Sequence, residues 1–368
     1  MTALFSHKMF TSILASTFKQ LEEMTWRVGD SWSHSATDQE GFKSGSATIG
    51  GNRVYLNELF ENGLGRHWRT EDFEGNTAWE GMVWSLQLVD EGWQYTRSLD
   101  AFANRLRVLY SSTATGERLH APSSSTWEEN TDSQAQYGIR EMIHSIGETN
   151  ATRALGLADI ELADLAWPGR SKRYTGATGT TLSIQLRGYM DTLAWRIYND
   201  LTSGLEDSSV MVDRIVSGVG QFINSTEVET NTFDFSAYHN RDRYALSILR
   251  DLVSTGDGTN PWIIGVYEDR VLHYQSRPTT VNLHWAKGSP NPTQIGGQPV
   301  QPWMIRPGDV IRSDWILPGY DLDIAVGEDP MVLQVREASF QAPYRVSLTG
   351  ADDEQVEIML NRIQKTRW

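Results

Sequence analysis

Short apolar runs separated by glycines fill the first part of the chain, up to about residue 111. Residues 78–88 partly alternate large apolar side chains with small or polar ones, and residues 105–110 alternate up to a turn at 114–116. Alternation with a period of two is typical of half-buried strands. The pattern predicts an antiparallel barrel or sandwich in this region.

Three later segments have the spacing of helices. Residues 150–167 carry closely spaced leucines behind Asn150, a candidate N-cap, and end at Pro168-Gly169. Residues 207–224 form an apolar stripe behind an Asp207/Ser208 cap; its members are Met211, Ile215, Val216, Val219, Phe222 and Ile223. Residues 240–255 form a second amphipathic stretch, for which Gly256 is the predicted stop.

Strand patterns stand beside these helices. Residues 178–188 place Leu182, Ile184 and Leu186 on one face, and a short stretch with helical spacing follows, through Met190, Leu193, Ala194 and Ile197. Residues 262–274 are predicted to form a hairpin directly after the third helix. Helices packed on a small sheet are therefore expected in the middle of the chain.

The last part of the chain begins with a Pro- and Gly-containing connection over residues 277–307. Residues 309–317 and 332–348 are predicted to supply three strands of a compact β unit. Residues 356–363 have the spacing of a short amphipathic helix behind Asp352/Asp353. The whole pattern indicates an α+β chain in which two β units bracket helical insertions.

Composition excludes several classes of function. The 368 residues include 47 Asp plus Glu and 32 Lys plus Arg, a formal net charge of −15, which disfavours nucleic-acid binding. The absence of cysteine excludes disulfides, thiolate nucleophiles, iron–sulfur clusters and zinc fingers. The N-terminal residues contain neither an apolar run near the ~20 residues of a membrane span nor a signal peptide, so the chain is expected to be soluble and unprocessed.

The usual catalytic motifs are missing. The eight histidines include no pair four residues apart with a Glu between them, so a metalloprotease helix is absent. Gly218-Val219-Gly220 lacks the third glycine of a dinucleotide loop, and the chain has neither a Gly-x-Ser-x-Gly elbow nor a Gly-x-x-x-x-Gly-Lys loop. We therefore predict no enzyme and no catalytic, cofactor-binding or metal-binding residues.

A few segments keep weaker alternatives open. Asp321-Leu322-Asp323 and Glu328-Asp329 are the best candidates for calcium or glycosidase chemistry, but Ala325 and Val332 stand where a calcium loop needs oxygen ligands, which favours a solvated turn. Residues 257–261, Asp-Gly-Thr-Asn-Pro, are first of all turn formers. The 14 tryptophans could line a carbohydrate cleft, but their dispersal favours burial in cores or interfaces.

Three segments together resemble the tail hub proteins of tailed bacteriophages, the baseplate hub family, also described as minor tail or virion structural proteins. The first is residues 79–83, Trp-Glu-Gly-Met-Val, followed by 104–110, which is similar to the strand pair that closes the family's first barrel. The second is residues 132–141, with its Ser-Gln-x-x-Tyr-Gly-x-x-Glu run. The third is residues 302–312, a turn and strand that begin with Pro-Trp.

The resemblance implies two β-barrel-like domains bracketing inserted α/β segments. The expected division is an N-terminal barrel-like domain over 1–115, a helical connecting segment over 116–177, an α/β domain over 178–276, and a unit over 277–368 with the connection, the C-terminal β unit and the terminal helix. Members of the family assemble as rings, commonly trimers. The chain ends at Trp368 without an appended lysozyme, peptidase or fibre domain, so no lytic role is expected.

The function that the resemblance implies is a structural subunit of a tail tip or baseplate hub, a ring that closes the tail tube or adapts it to the tip. Its expected partners are further copies of itself, distal tail or tube proteins, the tape measure, and tip or fibre proteins. Its expected location is the virion, after assembly in the host cytoplasm. An acid-lined ring would let DNA pass without binding it. The alternatives are a carbohydrate-binding tail or surface protein that uses exposed tryptophans and an acidic glycoside hydrolase.

Overall fold

The computed structural model of the chain is built mostly from sheet, with six helices in its described part. The structure describes residues 5–14, 18–122, 126–199, 204–236, 242–286, 289, 291–313, 331–342 and 345–350. Helices and strands mix along the chain, as the α+β prediction requires. None of the helices in the described ranges has the length and apolar character needed to span a bilayer.

The strands are numbered in chain order. They are β1 Phe5–Ser12, β2 Gln20–Glu23, β3 Ser33–Thr37, β4 Gly41–Gly50, β5 Arg66–Asp72, β6 Thr77–Asp90, β7 Trp93–Ser98, β8 Arg105–Ser112, β9 Arg118–Ala121, β10 Glu128–Glu129, β11 Glu141–Thr149, β12 Gly169–Tyr174 and β13 Thr180–Arg187. They continue with β14 Ile197–Tyr198, β15 Leu205–Asp207, β16 Ser225–Val228, β17 Asp234–Ser236, β18 Arg243–Tyr244, β19 Trp262–Val266, β20 Val271–Ser276, β21 Leu283–Trp285, β22 Thr293–Gln294, β23 Val310–Ser313, β24 Met331–Gln341 and β25 Arg345–Gly350.

The helices are α1 Thr25–Val28, α2 Arg53–Asn62, α3 Thr131–Tyr137, α4 Ala151–Leu165, α5 Ser208–Val219 and α6 Ala245–Thr255. The 150–167 prediction is confirmed by α4, and Asn150 caps it by accepting a hydrogen bond from the backbone N of Arg153 at 2.9 Å. Helix α2 went unpredicted, although Asn52 caps it and Leu56, Leu59 and Phe60 form its buried stripe.

The other helix predictions are confirmed with shorter bounds. Helix α5 ends at Val219 rather than at residue 224, and Asp207 occupies its N-cap position without a side-chain hydrogen bond. Helix α6 begins at Ala245 rather than at residue 240, and Gly256 follows it with a φ of 61°, as expected of a helix stop. The stretch around residue 190 is a 3-10 helix, Tyr189–Trp195, instead of an α-helix.

The predicted strands beyond residue 178 are also present. Strand β13 buries Leu182, Ile184 and Leu186 on one face, because alternate side chains of a strand point to the same side. Strands β19 and β20 pair antiparallel as the predicted hairpin, and β23, β24 and β25 are the three strands predicted within 309–348. The connection over 277–307 is not entirely irregular, because it contains the short strands β21 and β22, and β21 pairs with β23. The predicted helix over 356–363 lies outside the described residues.

One curled run of strands organises the core. Its hydrogen-bonded order is β1, β5, β6, β13, β4, β3, β24. Phe5 on the first strand and Phe340 on the last lie with ring centroids 5.2 Å apart, so the sheet turns back on itself. No ring of pairings closes within the described ranges, so the predicted barrel-like domains are not confirmed.

A second run crosses the molecule through the same central strands. Its order is β12, β7, β6, β13, β4, β19, β20, β16, in which β4 and β19 meet at the single pair Gly41 and Val266. We call this the eight-strand path. This path contains strands from the first, second and third predicted domains. The domain boundaries themselves stay a prediction.

A smaller unit, residues 104–166, has its own core. Strand β8 pairs with β9, β10 and β11, and α4 packs on them. Its buried side chains are Leu106, Val108, Tyr110, Ala121, Ala154, Ala158, Leu162 and Ala166. The expectation that residues 79–83 and 104–110 form one strand pair is wrong, because β6 pairs with β5, β7 and β13 while β8 belongs to this separate sheet.

Candidate functional site

The segments considered for catalysis or metal binding form ordinary structure where they are described. No cluster of three or more His, Asp or Glu side chains that could hold a metal occurs in the described ranges. Gly218-Val219 forms the last turn of α5, with Gly220 as its C-cap. Residues 321–329, the calcium or glycosidase candidate, lie outside the described residues.

The Asp257–Pro261 segment is a turn, as its composition predicts. The Asp257 carboxylate accepts hydrogen bonds from the backbone N of Thr259 at 2.8 Å and from the backbone N of Asn260 at 2.6 Å. Its second oxygen accepts from the Asn260 amide at 2.8 Å. These bonds occupy both carboxylate oxygens inside the turn, which is the usual role of Asp at such a position.

The tryptophans lie mostly in the core. Those that are buried are Trp32, Trp68, Trp79, Trp84, Trp195, Trp262, Trp285 and Trp303. Trp93 and Trp167 are exposed by 39% and 45%. The dispersal argument for burial is therefore confirmed for most of the described tryptophans, and no row of exposed tryptophans lines a cleft in the described part of the chain.

The Ser133–Glu141 segment, which carries the second hub-like motif, belongs to the 104–166 unit and is held in it by several buried hydrogen bonds. Ser133 in α3 is buried; its hydroxyl donates to the carbonyl of Ala166 and accepts from the Asn104 amide at 3.2 Å. The same amide donates to the carbonyl of Gly138 at 2.7 Å, and the Asn104 side-chain oxygen accepts from the backbone N of Arg140 at 2.8 Å. One asparagine thus fixes both ends of the turn after α3.

The centre of the motif is a close-packed turn. Tyr137 is buried and packs edge-to-face on Phe102, with centroids 5.7 Å apart. Gly138 follows with a φ of 81° and lies against Phe222, the residue that the sequence pattern assigned to the stripe of α5. Packing against Phe102 and Phe222 therefore explains why the motif has Tyr at position 137 and Gly at position 138.

Glu141 closes the motif with a buried carboxylate. One oxygen accepts from the Arg105 guanidinium at 2.8 Å, and the other accepts from the backbone N of Ile197 at 2.6 Å. Its side chain is 3% exposed, and burying a carboxylate is costly unless it is paired and hydrogen-bonded, as it is here. The carboxylate links β8 and β11 of the small unit to β14, and both of its oxygens are engaged in these structural bonds.

The third hub-like segment is an anchor of the same kind. The Arg306 guanidinium donates to the carbonyls of Thr77 at 3.0 Å and Ala78 at 3.2 Å, and it also pairs with Glu268. The Asp309 carboxylate accepts from the backbone N of Arg306 at 2.7 Å. The segment therefore ties the C-terminal strands to the start of β6, more than 220 residues earlier in the chain.

A cleft of about 340 Å³ opens between the β19/β20 hairpin and this anchor. It is lined by Tyr267, Glu268 and Asp309 among others. Burial raises the pKa of Asp309, but its second oxygen accepts from the Asn282 amide at 2.7 Å and Glu268 pairs with Arg306. Both carboxylates already have partners, and among its described lining residues the cleft presents no activated nucleophile.

Buried titratable groups sit inside the curled sheet. His7 contacts the Thr70 hydroxyl at 3.1 Å, His34 accepts from the Trp32 indole at 3.0 Å, and His67 contacts the Tyr189 hydroxyl at 2.7 Å. Burial lowers the pKa of His7 and of His34 to about 3. It also holds the pKa of His67 well below its ordinary value, with help from nearby Arg69.

Glu80 is the acidic counterpart of these histidines. It accepts from Arg69 Nη2 at 2.8 Å, while no described residue donates a hydrogen bond to its other oxygen. Burial raises the pKa of Glu80 to about 7, against the opposing attraction of Arg69. These groups are enclosed in the core, so their chemistry bears on stability rather than on a ligand.

The outermost strand of the eight-strand path is the most unusual surface feature. All six residues of β12 are exposed, and its described hydrogen-bonded neighbour is β7 alone. Arg170, Lys172 and Arg173 make it basic in a chain of net charge −15. Lys172 lies 4.2 Å from the ring centroid of Trp93, and Tyr174 beside it is 69% exposed. Its sequence does not alternate apolar and polar residues, so the hydrophobic pattern did not predict a strand here.

No family model matches the chain, and no curated protein matches it. Among solved structures, the 43 kDa tail protein of prophage MuSo2 from Shewanella oneidensis is similar, with 7% identity, a TM-score of 0.41, and coverage of 96% of this chain and 98% of that chain. Prophage tail protein gp18 from Listeria monocytogenes EGD-e is similar with 9% identity, a TM-score of 0.39, and coverage of 99% and 100%. Likenesses of fold this weak carry no function to the chain.

Proposed function

We propose that the chain is a structural subunit of a bacteriophage tail tip or baseplate hub, which assembles into a ring that closes the tail tube or adapts it to the tip. The ring acts mechanically, through closed symmetric interfaces, and no reaction is assigned to it. Its neighbours are tube or distal tail proteins on one side and the tape measure, tip or fibre proteins on the other. Its location is the virion, after assembly in the host cytoplasm.

Two of the segments with hub-like sequence support the proposal because their role in the fold is structural. Residues 133–141 and 302–312 hold distant parts of the chain together, and their polar side chains are engaged in structural bonds. The motif residues therefore stabilise the fold of the subunit. Motifs that maintain a rigid subunit are more typical of a structural protein than of an enzyme.

The single observation that carries the proposal is strand β12. A strand with both faces and one edge in solvent buries almost nothing in the isolated subunit, and such edges are normally covered, paired, or protected from like edges by charged side chains. Assembly into a ring would cover it. The acidic lumen is part of the same proposal: with a net charge of −15, a ring lined by carboxylates would repel passing DNA.

The mass of the purified protein tests the proposal. Sedimentation analysis of the full chain should give about three or six times 41.5 kDa. A particle of 41.5 kDa at every concentration would contradict a self-assembling ring. A ring whose bore is lined by Lys and Arg would contradict the acidic lumen.

A carbohydrate-binding protein is the second candidate, and the exposed pair Trp93 and Tyr174 favours it. Their rings lie 5.2 Å apart at the end of β7 and β12, where a sugar could stack on them. Polysaccharide binding by a monomer, with a change of tryptophan fluorescence that Trp93→Ala abolishes, would support this candidate. For an acidic glycoside hydrolase, the matching result is turnover that substitution of a single Asp or Glu abolishes.

A further inference from the structure

We propose that β12 of one copy pairs with β16 of the next copy, so that the eight-strand path continues from subunit to subunit. This inference rests on the proposed function, in which copies of the chain form a ring. It identifies the two surfaces that meet and the charges that select them.

The two strands are the opposite ends of one sheet. The path begins at β12 and ends at β16, and in the described residues β16 pairs with β20 alone. Each end strand therefore presents a row of backbone N–H and C=O groups to a further strand. Joining unlike ends is a heterologous contact, which produces a ring when the rotation closes.

The two ends carry opposite charge. β12 has Arg170 and Lys172 two residues apart, and the β16 segment has Glu227 and Glu229 two residues apart. Side chains at this spacing share one face of a strand. An antiparallel register that sets Lys172 opposite Glu227 also sets Arg170 opposite Glu229, so both pairs form at once.

These side chains are placed in solvent, where a partner can reach them. All of β12 is exposed, and the Glu227 side chain is 70% exposed. Within the chain, Glu227 lies 3.2 Å from His273 Nδ1 and Arg170 donates to Glu61 at 2.9 Å, and exposed pairs of this kind contribute little to stability, so a partner strand can compete for them. Glu229 is exposed as well, and it accepts from the backbone N of Ser276 at 2.8 Å, which fixes its position. Lys172 is held over the Trp93 ring, so its charge is also positioned before a partner arrives.

The charge pattern also excludes the wrong pairings. Charged side chains on a free edge normally prevent it from pairing with a like edge. Two copies of β12 repel each other, and so do two copies of β16, whereas the unlike ends attract. A second copy of this chain is therefore the occupant that fits β12, because its β16 segment brings two carboxylates to the basic edge and a neutral strand brings none.

Charge reversal on each edge tests the inference. We expect Lys172→Glu and Glu227→Lys each to raise the dissociation constant of self-association about tenfold in sedimentation experiments. The double variant K172E/E227K restores the attraction with the signs exchanged, and it should recover the wild-type mass. A mixture of the two single variants should also associate better than either alone. Rescue of this kind is impossible for a chain that has failed to fold.

Matched controls reverse charges elsewhere on the surface. Arg118→Glu on β9 and Glu148→Lys on β11 alter exposed residues of the 104–166 unit, whose sheet is separate from the eight-strand path, and should leave the mass unchanged. If the wild type forms rings and the edge variants form them equally well, or if the double variant is not rescued, the strand pairing is wrong while the proposed function stands. A wild type that stays monomeric overturns both.

Discussion

Gly138 packs so closely against Phe222 that a Cβ on residue 138 would lie 2.4 Å from Cζ of the ring. The contact joins the turn after α3 to a residue that follows α5, and it therefore connects the 104–166 unit to the main core. Phe222 is 1% exposed, so its ring has little room to move away.

We expect Gly138→Ala to lower the free energy of unfolding by about 3 kcal/mol, because the side chain adds overlap in the core to a φ of 81° that L-residues rarely adopt. Denaturant titration measures the change. Gly156→Ala is the matched control: Gly156 lies inside α4 with open space around it, and alanine should stabilise the helix by about 1 kcal/mol. Equal effects at both positions would show that the Phe222 contact is unimportant.

Glu141→Gln should weaken the same connection from the other side. The variant removes a charged partner of Arg105 and perturbs the hydrogen bond from Ile197. Because the carboxylate is buried, we expect the free energy of unfolding to fall by about 3 kcal/mol. Glu129→Gln removes the more exposed partner of Arg105, at 2.8 Å, and should cost below about 1 kcal/mol. Comparable losses in the two variants would contradict the anchoring role of Glu141.

Local structure could be predicted from the sequence, whereas the pairing of strands that are distant in the chain could not. The cap at Asn150 and the alternation around Ile184 in β13 are local signals, because each depends on residues a few positions apart. The pairing of β24 with β3 joins Phe340 to His34, and nothing within either strand specifies that partner. The exposed β12 lacks an apolar face, so no periodicity could mark it as a strand.

The motif segments were located from the sequence, but the bonds that they make were not. The sequence resemblance identified residues 132–141 and 302–312, but their partners lie far away in the sequence: Glu141 accepts a hydrogen bond from Ile197, and Arg306 donates one to Thr77. Asn104, which ties the turn after α3, stands in the first hub-like segment, but nothing in that segment indicated its bond to Gly138. Contacts between distant segments depend on tertiary packing, which a single sequence does not reveal.

Acid should destabilise the fold through its buried histidines. His7, His34 and His67 are held neutral when folded, but they can bind protons near pH 6.5 when unfolded. The stabilising contribution of His7 and His34 is therefore present above pH 6.5 and is lost as the pH falls toward about 3, by about 1.4 kcal/mol per pH unit for each of the two; His67 acts in the same direction.

Denaturant titrations between about pH 7 and about pH 4.5 measure this dependence. His34→Gln should reduce the proton uptake on unfolding by about one proton, because glutamine cannot be charged. His144→Gln is the control, since that side chain is 46% exposed. An unchanged pH dependence in His34→Gln would show that His34 is not kept neutral by burial.

Glu80 should act in the opposite direction at higher pH. Its pKa is raised to about 7 from an ordinary 4.5, so the stability that it contributes is full below about pH 4.5 and is lost as the pH rises through about 7. We expect Glu80→Gln to remove this loss, so that between about pH 5 and about pH 8 the variant gains stability relative to the wild type. A constant difference between the two proteins across that range would contradict the raised pKa.

Electron microscopy of tailed particles with this subunit labelled is the decisive test of a structural role in a phage tail. We expect the label at the tip of the tail, in a ring with threefold or sixfold symmetry. Particles that lack the subunit, or that carry it as isolated single copies away from the tube axis, would show that the proposed role is wrong.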